Sequence, residues 1–364
     1  MYISRSCLLK GIVYLLLVII ITSCFLNKKK KPSSEVIPVS CSKANIRNSI
    51  VTILESITTE TDFSFYVEDI NGENITYNRG GSTLSTSYES ASTSKWVSAA
   101  IIMKQVENGF LNLLDKPQDH LTSWSINSGE ELYNMTLTDL LSFNSGLVDE
   151  PVCLNLGIAN FENCVNNISN SNTGNGKIPG QEFYYSSTHM QVAGMMAVKA
   201  RGDIASWQEL FSEFQTETGL FANSNYDLPS VSNPRLAGGM HWTGNDYIKF
   251  LRFFRDNTIL SSSSKALMLT DRVLSVGYSP AFEAIGEDWH YGFGLWLQCP
   301  NAIFNCSSIE YISSPGAYGA YPFINLQHNF FGIVARQGAL GTFRNGFAVY
   351  QAVQEQVEQW VKCK

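Results

Sequence analysis

Apolar residues recur at helical spacing at Ile46, Ile50, Ile53, Leu54 and Ile57, which predicts an amphipathic helix over residues 43 to 57. The period then changes to two. Phe63, Phe65 and Val67, followed by Asn71-Gly72 and then Ile75 and Tyr77, predict a β-hairpin with a tight two-residue turn. Near the other end, the runs YGFGLWL, YPFINL and FFGIVA are rich in aromatic and β-branched residues and read as three strands. Val349, Val353, Val357 and Trp360 return to helical spacing and mark a last helix. The section between, about residues 92 to 255, is dominated by helical patterns. An α/β arrangement follows, with a sheet built from both chain ends, terminal helices flanking it, and a helical region inserted. No internal repeat interrupts this order.

The first residues have a different character. A short basic segment precedes the apolar run Gly11 to Ile21, which ends in Ile21-Thr22-Ser23-Cys24, and this reads as a secretion leader over residues 1 to 24. The small residues before Cys24 resemble the bacterial lipobox, which implies lipidation of Cys24, attachment to a membrane and an extracytoplasmic location in the cell envelope. An ordinary signal peptide, giving a secreted protein, and an uncleaved anchor are the alternatives. Lys10 leaves the apolar run short of the ~20 residues that a spanning helix needs. Lys28 to Lys31 follow the run directly, against the positive-inside tendency. Residues 25 to 42 read as a solvated tether, and residues 43 to 364 as the folded domain.

The chain of 364 residues, 44% hydrophobic, is long enough to bury a large core. Its net charge of −7 understates the acidity of the domain, because six cations and no acid fall within the first 31 residues. An acidic body of this kind excludes nucleic acid as a partner. Beyond Cys7 and Cys24 six cysteines remain, an even number that favours disulfides in an exported chain. Cys153 with Cys164 and Cys299 with Cys306 are close enough to close local loops, which leaves Cys41 for Cys363. No metal-ligand spacing is present, and the lone Gly-x-Gly-Lys at Gly174 lacks the spacing of a phosphate loop.

The candidate chemistry lies at Ser92-Thr93-Ser94-Lys95, which opens an apolar helix running to Gly109. Positions i and i+3 share a helix face, so the Lys95 amine can reach the Ser92 hydroxyl, and the helix start supplies N–H groups for a developing oxyanion. Spacing alone does not single out this serine. Ser40 with Lys43 and Ser262 with Lys265 match the same pattern.

Context separates them. The passage SASTSKWVSAAIIMKQVENGFLNLLDKP resembles the nucleophile helix of class C β-lactamases, penicillin-binding proteins, D-alanyl carboxypeptidases and related esterases. TLTDLLSFNSGL, PGQEFYYSSTHMQVAG, AGGMHWTGNDYIKFLRFF and SSPGAYGAYPFIN resemble later segments of that family, in family order. The resemblance implies an antiparallel sheet in a β-lactamase/transpeptidase-like fold, a serine hydrolase with Ser92 as nucleophile, and no cofactor. It makes Lys95 and Tyr185 the activating pair, either of which is eligible as the formal base. Ser187 stands where the family's second motif has Asn. Ser314-Pro315-Gly316 stands where the third motif has a Lys or His followed by a residue and Gly, and the resemblance implies that the Ala317 N–H completes an oxyanion hole. Ser314 removes the cation that grips a substrate carboxylate, which predicts small uncharged acyl substrates and weak turnover of β-lactams. Arg336 and Arg344 are the candidates for a compensating cation. The implied reaction is hydrolysis of a small ester or amide. The alternatives are a D-Ala-D-Ala carboxypeptidase or β-lactamase, and a catalytically silent lipoprotein that binds cell-wall peptides. The five histidines are scattered, and His189, four residues after Tyr185, is the one near a motif.

Overall fold

The computed structural model describes residues 41–273, 286–300, 304 and 307–363. Cys24, Ser40 and the expected Cys299–Cys306 pair therefore lie outside the described residues, wholly or through one member.

Helix α1 spans Lys43–Ser56 and starts where the Ser42 side chain accepts the Asn45 N–H. Ile50 and Leu54 are its fully buried residues. Strands β1 (Phe63–Glu68) and β2 (Asn74–Arg79) form the expected hairpin, but Glu68 pairs with Asn74, so five residues join the strands instead of two. The Asp69 carboxylate is the reason. It accepts the N–H groups of Asn71 at 2.9 Å and Glu73 at 3.0 Å, stabilising a longer loop with Gly72 at φ +82°.

Three short pieces, β3 (Ser87–Glu89), β4 (Asn225–Tyr226) and β7 (Met240–Thr243), form a small sheet in the order β3-β7-β4, and β5 (Pro229–Ser230) pairs with β6 (Asn233–Pro234). The main sheet is completed by β8 (His290–Tyr291), β9 (Trp296–Gln298), β10 (Tyr311–Ser313), β11 (Tyr321–Asn325) and β12 (Phe330–Ala335). Its order is β2-β1-β12-β11-β10-β9-β8, antiparallel throughout. The first strand of the chain thus pairs with the last, Ser64 opposite Ala335 and Glu68 opposite Phe331.

YGFGLWL is not one strand. Gly292 donates to Leu295 O at 3.0 Å and Gly294 takes φ +72°, folding the run into the β8–β9 hairpin. The C-terminal pattern likewise divides into helices Phe343–Gln351 and Gln354–Lys362, with Val353 turned out of helical geometry at φ −119° and fully buried.

Adjacent residues of β12 identify the two layers on the sheet, because successive strand side chains point to opposite faces. Phe331 lies under Arg255 of helix Gly244–Arg255, 5.0 Å from its guanidinium. Phe330 meets Tyr311 and Phe323, and Phe323 packs 4.0 Å from Tyr350 of helix Phe343–Gln351. Every residue of β1 and β12 is buried accordingly. Disulfides join Cys41 to Cys363 and Cys153 to Cys164. Among the described residues no helix is long and apolar enough to cross a membrane.

Candidate active site

Ser92 sits in the single 3-10 turn Ala91–Thr93 that leads into helix α2, Ser94–Glu107. Ala91 takes φ +44°, an uncommon conformation for a residue with a side chain, so the chain turns sharply immediately before the serine. Neighbouring elements hold the turn. The Thr93 hydroxyl accepts from Trp242 Nε1 at 2.8 Å, the Thr93 carbonyl accepts from the Tyr247 hydroxyl at 2.8 Å, and Trp96 meets Phe250 and Phe254 edge-on. Eleven of the fourteen residues of α2 are buried, which explains why the helix is apolar all round and not amphipathic.

Lys95 Nζ lies 2.9 Å from Ser92 Oγ and 2.9 Å from the Ala237 carbonyl. Burial pushes its pKa down to about 7, helped by the positive charge of Arg235 and opposed by Glu150. The amine also sits 4.6 Å from the centre of the Tyr185 ring, and that ring stacks on Trp296. The Tyr185 phenol is pushed up to about 12 by burial, against the hydrogen bonds to Ser92 and Trp296. The two groups that flank the serine therefore differ in charge behaviour. Lys95 can be neutral near pH 7, whereas Tyr185 keeps its proton.

The third-motif segment packs against the nucleophile turn. The buried Ser314 hydroxyl donates to the Ser92 carbonyl at 2.8 Å. Gly316 has room for no side chain, since a Cβ there would lie 2.5 Å from the Ser90 carbonyl. Ser314 thus contacts the nucleophile's own backbone and Gly316 packs against the residue two before it. Ala317 lines the same cavity as Ser92, and no acceptor among the described residues takes the backbone N–H of either.

The cavity has a volume of about 200 Å³. Ser92, Lys95, Tyr185, Ser187 and Ala317 line it, together with two charged residues that the sequence did not single out, Glu150 and Arg235. Glu150 accepts the Ser187 N–H, and Arg235 donates to the Ser187 hydroxyl from both Nε (3.3 Å) and Nη2 (2.9 Å). Among the described residues, Arg235 is the arginine that lines this cavity. Arg336 is instead buried against Glu60 and Arg344 pairs with Glu287, so neither expected candidate lines the cavity.

The other candidates separate cleanly. Lys265 Nζ donates to the Arg255 carbonyl and Lys43 pairs with Asp69 and Glu73, so neither amine serves a nearby serine. His189 is fully buried, bonded to the Ser145 hydroxyl at 2.8 Å and the Tyr184 carbonyl at 2.7 Å, with its pKa pushed down to about 3 by burial. It is a neutral core histidine.

A serine with a buried lysine amine one turn away, at the junction of a helical region with an antiparallel sheet that joins the first and last strands, is the arrangement of the active-site serine hydrolases of the β-lactamase and penicillin-binding-protein type. The chain belongs to the β-lactamase family, whose sequence profile matches residues 64–351. Among solved structures it is similar to a protein of Bacteroides dorei DSM 17855 provisionally called a β-lactamase, with 27% identity and TM-score 0.69 over 87% of this chain and 99% of that one. It is also similar in fold to a penicillin-binding protein from Bacillus halodurans (16% identity, 86% and 98% coverage, TM-score 0.63). A third fold relative is EstCE1, a hydrolase with promiscuous acyltransferase activity (16% identity, 85% and 98% coverage, TM-score 0.66). No curated protein matches the chain by sequence.

Proposed function

We propose that the protein hydrolyses a small ester or amide through an acyl-enzyme on Ser92. The supporting observation is the 2.9 Å approach of Lys95 Nζ to Ser92 Oγ inside a cavity where that amine's pKa falls to about 7. Ser92 Oγ attacks the substrate carbonyl carbon while its proton passes to neutral Lys95. The N–H groups of Ser92 and Ala317 receive the oxyanion. The C–O or C–N bond then breaks, and the leaving alcohol or amine takes a proton from Lys95. Water attacks the ester formed on Ser92, gives its proton to Lys95, and Ser92 Oγ departs reprotonated. Tyr185, which keeps its own proton near neutral pH, acts as a hydrogen-bond donor to the serine oxygen and not as the base. The disulfides Cys41–Cys363 and Cys153–Cys164 support an oxidising, extracytoplasmic site of action, in keeping with a leader that ends at Cys24. The complete Ser, Lys and Tyr set argues against a catalytically silent binding protein.

Labelling with a fluorophosphonate, followed by peptide mass spectrometry, tests this reading. One adduct is expected, on Ser92, and Ser92→Ala should lose both the adduct and ester hydrolysis, while Ser262→Ala keeps both. An adduct on another serine overturns the assignment.

A further inference from the structure

Arg235 and its surroundings carry an inference about substrate. The residue lines the catalytic cavity although its side chain comes from the segment between β6 and β7, outside every motif that identifies the nucleophile. Two neutral partners hold it: the Ser187 hydroxyl, through Nε and Nη2, and Asn155 Oδ1, 2.6 Å from Nη1. These bonds take three of the five N–H groups of a guanidinium and leave two. Of the other arginines, Arg201 has Asp203 and Glu213, Arg252 has Glu68 and Arg336 has Glu60, whereas Arg47 and Arg79 donate to backbone carbonyls. Arg235 has no carboxylate within 4.0 Å among the described residues. The nearby acid, Glu150, is committed to the Ser187 N–H.

A guanidinium beside a buried lysine is unfavourable for the fold by itself. Arg235 disfavours the charged form of Lys95, and its own charge has no carboxylate at ion-pair distance among the described residues, with Glu150 lining the same cavity. An arginine that lines a cavity, oriented by two neutral acceptors and with two N–H groups to spare, offers the kind of donor that carboxylates accept from. Ser187 fits the same account. Its hydroxyl accepts from Arg235 at the position where the second motif has Asn.

We propose that Arg235 is a substrate-binding residue that selects acyl groups bearing a carboxylate, so that the preferred substrates are small anionic esters or amides. This rests on the Ser92 acyl-enzyme reading and replaces the preference for uncharged substrates that the sequence predicts from Ser314.

The test compares kcat/KM for two nitrophenyl esters of equal acyl length, the hemiadipate and the hexanoate, on the full chain. The wild type is expected to favour the hemiadipate, and Arg235→Gln to lower the hemiadipate-to-hexanoate ratio at least tenfold, with Arg235→Lys intermediate. The ratio is internal to each preparation, so a partly unfolded variant does not distort it. An unchanged ratio in Arg235→Gln means that Arg235 only anchors Ser187 and Asn155, and overturns the proposal. Should that variant fail to fold, the wild type decides. Succinate, glutarate or adipate should inhibit hexanoate hydrolysis competitively and more strongly than the corresponding diamides, and equal inhibition overturns the proposal. Failure of the underlying reading is distinct, because it removes the fluorophosphonate adduct on Ser92 and the turnover of both esters.

Discussion

Lys95 shows how one residue's environment can set the working pH of the site. Its burial on α2, with Arg235 on one side, lowers its pKa to about 7, and Glu150 opposes the shift. A base must be unprotonated to accept the serine proton, so kcat/KM for a neutral ester should fall about tenfold per pH unit below this pKa. It should be flat above it until another group titrates. Arg235→Gln removes a charge that lowers the lysine pKa, so the acid limb of the profile should move to higher pH. Glu150→Gln removes the opposing charge and should move it to lower pH. Profiles for the wild type and both variants check the pair of shifts, and a limb that moves the same way in both refutes the electrostatic account. The serine and lysine were legible through the ordered family-like segments around them, since the same spacing recurs at Ser40 with Lys43 and at Ser262 with Lys265, and Tyr185 was legible through its motif. Arg235 and Glu150 were not legible. They reach the cavity from segments far from Ser92 in the chain, and no local spacing records that convergence.

At the scale of elements, the sequence was right about identity and wrong about continuity wherever a close approach mattered more than periodicity. YGFGLWL alternates as a strand does, yet it breaks at Gly294, where a Cβ would lie 2.5 Å from Ala99 Cβ and 2.7 Å from the Lys95 carbonyl. The break lets the β8–β9 hairpin rest on the helix that carries the lysine. The same contact chemistry governs helix Thr188–Lys199, which follows the second motif. Gly194 lies in its interior, where glycine costs ~1 kcal/mol relative to alanine on propensity alone. In an exposed helix Gly→Ala would therefore stabilise. Here a Cβ would approach Leu236 Cδ1 to 1.9 Å and Trp207 to 3.4 Å, and both of those side chains are fully buried. Gly194→Ala is expected to destabilise the fold by about 1–3 kcal/mol, as overpacking does in other cores. Leu236 neighbours Arg235 and Ala237, so the variant should also lose activity. Denaturant melts and kcat/KM on one preparation measure both effects, and a stabilised, fully active variant would show that the contact relaxes freely.

The folded domain is closed where its first and last described elements meet. The sheet requires this, because β1 from the start of the chain lies between β2 and β12, and every strand beyond β12 belongs to the second half. Helix α1 packs against helix Gln354–Lys362, with Lys43 Nζ 4.9 Å from the Trp360 ring, so the beginning of one helix reaches the end of the other. Cys41 and Cys363 lie just beyond those ends, their Cα atoms 5.7 Å apart, and are disulfide-bonded. This pair was legible by elimination among the six cysteines, and the terminal helices supplied the geometry. The bridge spans a separation of 322 residues. In the chain-entropy treatment a loop of that length limits the unfolded ensemble by roughly 5–6 kcal/mol. Residual structure in the unfolded chain reduces the figure. Cys41→Ser with Cys363→Ser should therefore lower Tm by several degrees and speed unfolding, while kcat/KM at 25 °C stays close to wild type, because the bridge joins the terminal helices and neither cysteine is among the residues lining the cavity. Cys153→Ser with Cys164→Ser closes a contrasting case, since that bridge spans only 11 residues and should contribute less in the same treatment. Thermal melts of the two double variants under identical buffer rank the bridges, with non-reducing peptide maps of the parent protein as the check on both pairings. A larger loss from the short bridge than from the long one would mean that the Cys41–Cys363 link acts by local packing of the two helices and not by restraining the ends of the chain.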